Sequence, residues 1–174
     1  MGVHINAKRA VILSAVLFPS LSLIFLILGY EALFITASAF SFHILMRLIV
    51  GYAVKNAEVD GRSVIFHVSD KEFRFLRSTD IAFWKERLPT YDEESFKVRN
   101  LDALYSVMLH AELTHFLIAI LSFVPFAASL CIQPIRSSWP VFFITSALSA
   151  LFDSLFVAVQ RYNRKRIDCL RRRA

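Results

Sequence analysis

The sequence predicts an all-helical integral membrane protein with about four transmembrane helices and a cytoplasmic or interfacial segment between the second and third. Three observations carry that expectation. Of the 174 residues 56% are hydrophobic, with 17 Phe and only 4 Gly, and the mean hydropathy of +0.54 is too high for a soluble domain of this size. Apolar runs long enough to cross a bilayer as helices recur along the chain. The 20 Lys and Arg cluster beside those runs, and only Arg136 falls in an outer connection when both termini and the middle segment are cytoplasmic, as the positive-inside rule asks. In this setting the net charge of +6 reads as attraction to an anionic membrane surface, not to nucleic acid. Residues 1–174 form one membrane domain on this reading.

The first span, 10–29, carries no charge, and Pro19 inside it predicts a kink. A basic start, an apolar core and Ala37-Ser38-Ala39 imitate a cleavable secretory signal. The apolar stretch up to Ala39 is longer than such a signal's core, so a retained anchor is the preferred reading. A turn at Glu31 leads into the second span, 32–54, where His43 and Arg47 share one helix face. Arg47 either snorkels to the interface, pairs with a carboxylate or holds an anionic lipid head.

Residues 55–104 are charged and aromatic and form the interfacial segment. Ser63 to Val68 reads as a short strand after the Asp60-Gly61 turn, and Phe73 to Leu76 as another short piece. Ile81 to Pro89 suits the headgroup layer, with Trp84 as an interfacial anchor or a substrate platform. Asp92-Glu93-Glu94 reads as a solvated acidic turn, because a Mg²⁺ site there needs a second acidic motif. The third span, 105–130, is joined by Gln133 to Ser138 to the fourth, 139–159, which only Asp153 interrupts. The basic tail 160–174 fixes topology and adheres to anionic lipid, or contacts substrate. Cys131 and Cys169, read as lying on opposite sides of the membrane, suggest neither a disulfide nor a metal site.

Ionisable side chains inside apolar spans are costly and point to function. Glu112 and His115 stand three residues apart, on one face of the third span. Counted at about 1.5 Å per residue, they share a depth with Asp153, Arg47 and His43. A di-iron site needs the Glu-x-x-His pattern twice and further carboxylates, so no metal is expected. A metal-free general base fits better: an imidazole oriented by a carboxylate takes a proton from an alcohol attacking a thioester. The competing reading is a non-catalytic lipid-binding or assembly protein, in which Glu112 pairs with Arg47, and His115 and Asp153 lock helices together.

The chain resembles a known family at three places. Ala111-Glu112-Leu113-Thr114-His115-Phe116 is similar to its Ala-Glu-x-x-His-aromatic motif, Gln160-Arg161-Tyr162-Asn163-Arg164-Lys165-Arg166 to its Gln-Arg-Tyr-Asn-Arg-x-Arg motif, and Trp84-Lys85-Glu86-Arg87-Leu88-Pro89 to its Trp-Lys-x-x-Leu-Pro segment. The family is the glycosyl-4,4'-diaponeurosporenoate acyltransferases of bacterial carotenoid synthesis, and the resemblance covers roughly the second half of the chain. It implies transfer of a fatty acyl group to a sugar hydroxyl of a glycosylated carotenoid, from acyl-CoA or acyl-carrier protein and without a further cofactor. The setting implied is the bacterial inner membrane, with membrane lipid and the carotenoid glycoside as partners. His115 is then the base with Glu112 as its partner. Arg161, Asn163 and Arg164 lie where the donor's phosphates sit, and Arg47, Asp153 and Trp84 complete the substrate-binding candidates. The chain departs from the family pattern at Val107 and His110, in place of Glu and Arg, and at Asp153 and Leu155, in place of Asn and Pro. Another membrane-resident acceptor is the alternative those departures raise.

Overall fold

The computed structural model describes residues 7–79, 81 and 101–171. Its elements are α1 (Ala7–Ile27), α2 (Glu31–Lys55), a 3₁₀ turn (Val64–Phe66), α3 (Asp70–Ser78), α4 (Leu101–Leu121), α5 (Val124–Cys131), a second 3₁₀ turn (Gln133–Ser138) and α6 (Trp139–Arg171). The protein is an all-helical membrane protein with no strand among the described residues. Three stretches, Glu31–Lys55, Leu101–Cys131 and Ile135–Arg171, are long and apolar enough to cross a bilayer, and Val11–Ile27 is a shorter apolar helix. Trp84 and Asp92-Glu93-Glu94 lie outside the described residues.

Local chemistry explains where the helices stop. The α1 helix runs through Pro19 and ends in a Schellman turn: Tyr30 N–H donates to the Phe25 carbonyl, Gly29 N–H donates to that of Leu26, and Gly29 takes the left-handed conformation at φ +74°. The expected third span is two helices. Pro125 has no N–H to continue α4 past Ser122-Phe123, and it sits instead in the first turn of α5. The basic segment after Val159 continues α6 to Arg171 and buries Asn163, Arg164 and Ile167, so it is not a loose tail. At about 1.5 Å per residue α6 is about 50 Å long against a hydrocarbon core of roughly 30 Å, which leaves its basic end outside the apolar layer.

The described residues fall into two compact units, Met1–Tyr52 with Leu117–Phe152, and Ala53–Phe116 with Asp153–Ala174. In the first, α1 and α2 meet through Phe18 stacked on Phe40 at 5.5 Å and a 2.6 Å hydrogen bond between the Ser22 and Ser38 hydroxyls. Thr36, Ser41 and Ser122 return their hydroxyls to the carbonyl four residues back, the ordinary way an apolar helix carries such residues without an unmet donor.

In the second unit α3 docks on α6. Leu76 and Ile81 pack with Val159, Ala158 and Tyr162, and Phe73 stacks on Tyr162 at 5.3 Å. Ser69 caps the helix, its Oγ accepting from Glu72 N–H. The capping signature Ser69-x-x-Glu72 was present in the sequence and outweighs the strand-like composition downstream. Nor does Ser63–Val68 form a strand: its backbone carbonyls turn to α6 arginines instead of a partner strand.

Gly61 lets this connection lie against α4. A Cβ there would stand 3.0 Å from Leu109 Cδ2 and 3.3 Å from Tyr105 Cε1, and Leu109 is buried. Gly61→Ala is therefore expected to destabilise the unit by about 1–3 kcal/mol, the usual cost of overpacking. Melting in mild detergent, with faster proteolysis within 56–69, is the check, and an unchanged melting temperature would contradict it.

Candidate active site

His115 and Asp153 come together although 38 positions separate them. His115 Nδ1 lies 2.8 Å from Asp153 Oδ1, with Asp153 fully buried and the imidazole side chain 23% exposed. When Asp153 is ionised its carboxylate only accepts, and Nδ1 then carries the proton and leaves Nε2 to take one from a substrate. Phe156, one turn beyond Asp153, stacks on the imidazole at 4.6 Å and 13°, so the ring is fixed in direction and plane. The dyad is oriented, part of its ring lies open at the protein surface, and it can take a proton from a hydroxyl.

Glu112 is engaged elsewhere, which corrects its assignment as the partner of His115 and the alternative pairing with Arg47. Its Oε1 accepts from Arg161 Nη1 at 2.9 Å and its Oε2 from Arg164 Nε at 2.9 Å, and it is 2% exposed. Arg161 also donates to both oxygens of Glu72, from Nε at 2.6 Å and Nη2 at 3.0 Å. Two guanidiniums and two carboxylates thus form a network of zero net charge, the condition under which charges tolerate burial. The remaining donors hold the 3₁₀ turn: Arg161 Nη1 and Nη2 reach the Ile65 and His67 carbonyls at 2.9 Å, and Arg164 Nη2 donates to the Phe66 carbonyl. Arg164 Nη1 donates to Tyr105 Oη at 3.1 Å.

Every guanidinium nitrogen of Arg161 and Arg164 therefore donates within the protein, and the two residues build the site's wall. The expectation that they receive a donor's phosphates gives way to this geometry, because their N–H groups already point at carboxylates and carbonyls. Asn163, next to Arg164 in the chain, is buried. His110, with Nδ1 2.8 Å from the Ser106 carbonyl and Nε2 3.2 Å from that of Ala57, straps the start of the connection to α4.

Arg47 and His43 belong to the first unit. Arg47 Nη2 donates to Ser149 Oγ at 3.0 Å and its guanidinium lies 5.7 Å from the Phe152 ring centre. Both line a mostly apolar groove of about 290 Å³ with Phe40, Ile44, Leu148 and Phe152. Among the described residues no three His, Cys, Asp or Glu side chains converge as a metal site would require.

Sequence reasoning missed Glu72, Phe156 and the pairing of His115 with Asp153. Glu72 carried a signal in the capping pattern; the other two depend on how α4 and α6 pack. The Arg161 fork holds the Glu72 carboxyl below its ordinary value near 4.5, through the side-chain hydrogen bonds first. A lowered native pKa contributes stability that is complete above the unfolded value and is lost as pH falls through the native one. Protection of the α3 amides, corrected for intrinsic exchange rate, is expected to fall as pH drops below about 4.5, and Glu72→Gln to remove that dependence. Protection that follows the same acid profile in both proteins would contradict it.

Fold and dyad together define a small all-helical membrane protein that holds an imidazole on a buried carboxylate. The glycosyl-4,4'-diaponeurosporenoate acyltransferase family model matches residues 62–173, and the chain belongs to that family. It is an acyltransferase of carotenoid synthesis. No curated protein and no solved structure matches the chain.

Proposed function

We propose that the protein transfers a fatty acyl group from a thioester, acyl-CoA or acyl-carrier protein, to a sugar hydroxyl of a glycosylated C30 carotenoid, with His115 as general base. The observation that carries this reading is the 2.8 Å contact between His115 Nδ1 and the buried Asp153 carboxylate on a partly exposed ring. In the reaction the sugar hydroxyl gives its proton to Nε2 as its oxygen forms a bond to the thioester carbonyl carbon. The tetrahedral intermediate collapses with cleavage of the C–S bond, and the sulfur leaves with the proton returned by the imidazolium. Asp153 supports the imidazolium while it exists. No prosthetic group is needed for these steps.

Both the carotenoid glycoside and the product are lipids, which suits a site on helices that enter a bilayer. The basic residues beside the spans favour a bacterial cell membrane with the polar half of the chain on the cytoplasmic side, where thioester donors are made. Mass spectrometry of pigments from cells making the glycosylated carotenoid tests the reading. Expression of the protein is expected to add a fatty acyl mass to the glycoside. An unchanged glycoside, with the protein present in the membrane, overturns the acceptor and leaves another membrane-resident alcohol as the substrate.

A further inference from the structure

The second unit holds a polar cavity of about 160 Å³ at the basic end of α6, room for a phosphate by the roughly 30 Å³ that a water occupies. Arg62, Ser63, His67, Tyr105, Lys165 and Asp168 line it. The Arg161 and Arg164 bonds to the Ile65, Phe66 and His67 carbonyls fix its wall. Its cations differ in what they are already doing. Arg164 is engaged by Glu112 and Lys165 lies 3.0 Å from an exposed Asp70. Among the described residues no carboxylate pairs with the Arg62 guanidinium, whose residue is held through its backbone N–H on Asp60 Oδ1 at 2.9 Å. The one carboxylate in the lining, Asp168, has Arg171 Nη1 3.9 Å away. The cavity is therefore net positive and offers hydroxyl and imidazole groups beside its charges.

Its position decides what it can hold. From Tyr105 to His115 along α4 is about 15 Å, and from Asp153 to Lys165 along α6 about 18 Å. A sugar in the cavity would be far from Nε2, which must touch the hydroxyl it deprotonates. A phosphopantetheine arm reaches about 15 Å between phosphate and sulfur when extended, at the roughly 3.5 Å per three bonds of a polypeptide. We infer that the cavity is the site for the phosphate end of the acyl donor, with Arg62 its chief anion partner and the arm running along α4 and α6 to put the thioester at His115. This rests on the thioester reading above.

Full-length protein in nanodiscs of neutral lipid is titrated with phosphopantetheine and with pantetheine, which lacks the phosphate. Phosphopantetheine is expected to bind about tenfold or more tightly, the worth of one charge-assisted hydrogen bond, and Arg62→Gln to remove that preference without altering the melting temperature. Should Arg62→Gln melt early, His67→Gln serves as the second variant, with the same loss of preference expected. Equal binding of the two compounds, or a preference that survives both substitutions, overturns the proposal. Loss of the preference in discs containing anionic phospholipid, but not in discs made equally anionic with a sulfated, phosphate-free lipid, overturns it too, and assigns the cavity to a lipid headgroup phosphate. Acyl transfer, measured separately in the same discs, keeps the two readings apart. Transfer without the phosphate preference overturns the cavity alone, and the preference without transfer overturns the function alone.

Discussion

Substituting His115 by Gln is expected to lower acyl transfer by about 10²–10⁴-fold, the range for loss of a general base, while protein level and melting temperature in the membrane stay near those of the parent. Gln fills similar space and its amide N–H can donate to Asp153 as Nδ1–H does, but it cannot carry a proton between substrate oxygen and leaving sulfur. Asp153 gives a graded companion test. Its carboxylate is fully buried and reaches Nδ1 at 2.8 Å, so Asp153→Leu leaves the ring without its acceptor and is expected to cost nearly as much activity. Asp153→Asn retains an amide oxygen that can accept from Nδ1–H, and is expected to cost less than the Leu variant. A His115→Gln protein as active as the parent, or Asp153 variants that lose activity only in step with their melting temperature, would show that the dyad is a packing device.

Glu112→Ala is expected to act on the fold before it acts on the chemistry. Glu112 is 2% exposed and holds two guanidiniums, so its removal leaves buried charge uncompensated, a change that costs about 3–5 kcal/mol where it has been measured. Arg161 keeps Glu72 as a partner, at 2.6 Å, whereas Arg164 loses its carboxylate. Adding Arg164→Met to Glu112→Ala is accordingly expected to recover part of the loss, a coupling that a double-mutant cycle in mild detergent measures. If Glu112→Ala melts with the parent and only raises the KM for the donor, the network is a substrate site instead of a clamp.

Much was written locally in the chain. The apolar runs declared helices in a bilayer, since no other element satisfies its own backbone there. The Ala-Glu-x-x-His-Phe and Gln-Arg-Tyr-Asn-Arg motifs marked the segments that carry the dyad's histidine and the arginine clamp. Ser69-x-x-Glu72 announced a helix that β-prone neighbours obscured. The partners of those residues were not legible, because a pairing across 38 or 49 positions depends on the register in which two helices pack.

By itself the sequence determined the class of the protein, its helices, and which ionisable residues lie in costly apolar surroundings. Only the tertiary structure decided that Asp153 serves His115, that Glu112 binds Arg161 and Arg164, and that the basic segment is a helix with one buried face instead of a tail. The reason is physical. A helix position specifies its face through the 3.6-residue period, a local property. Which carboxylate meets which cation depends on the packing of α4 against α6, and each buried charge takes the partner that packing brings within hydrogen-bond reach.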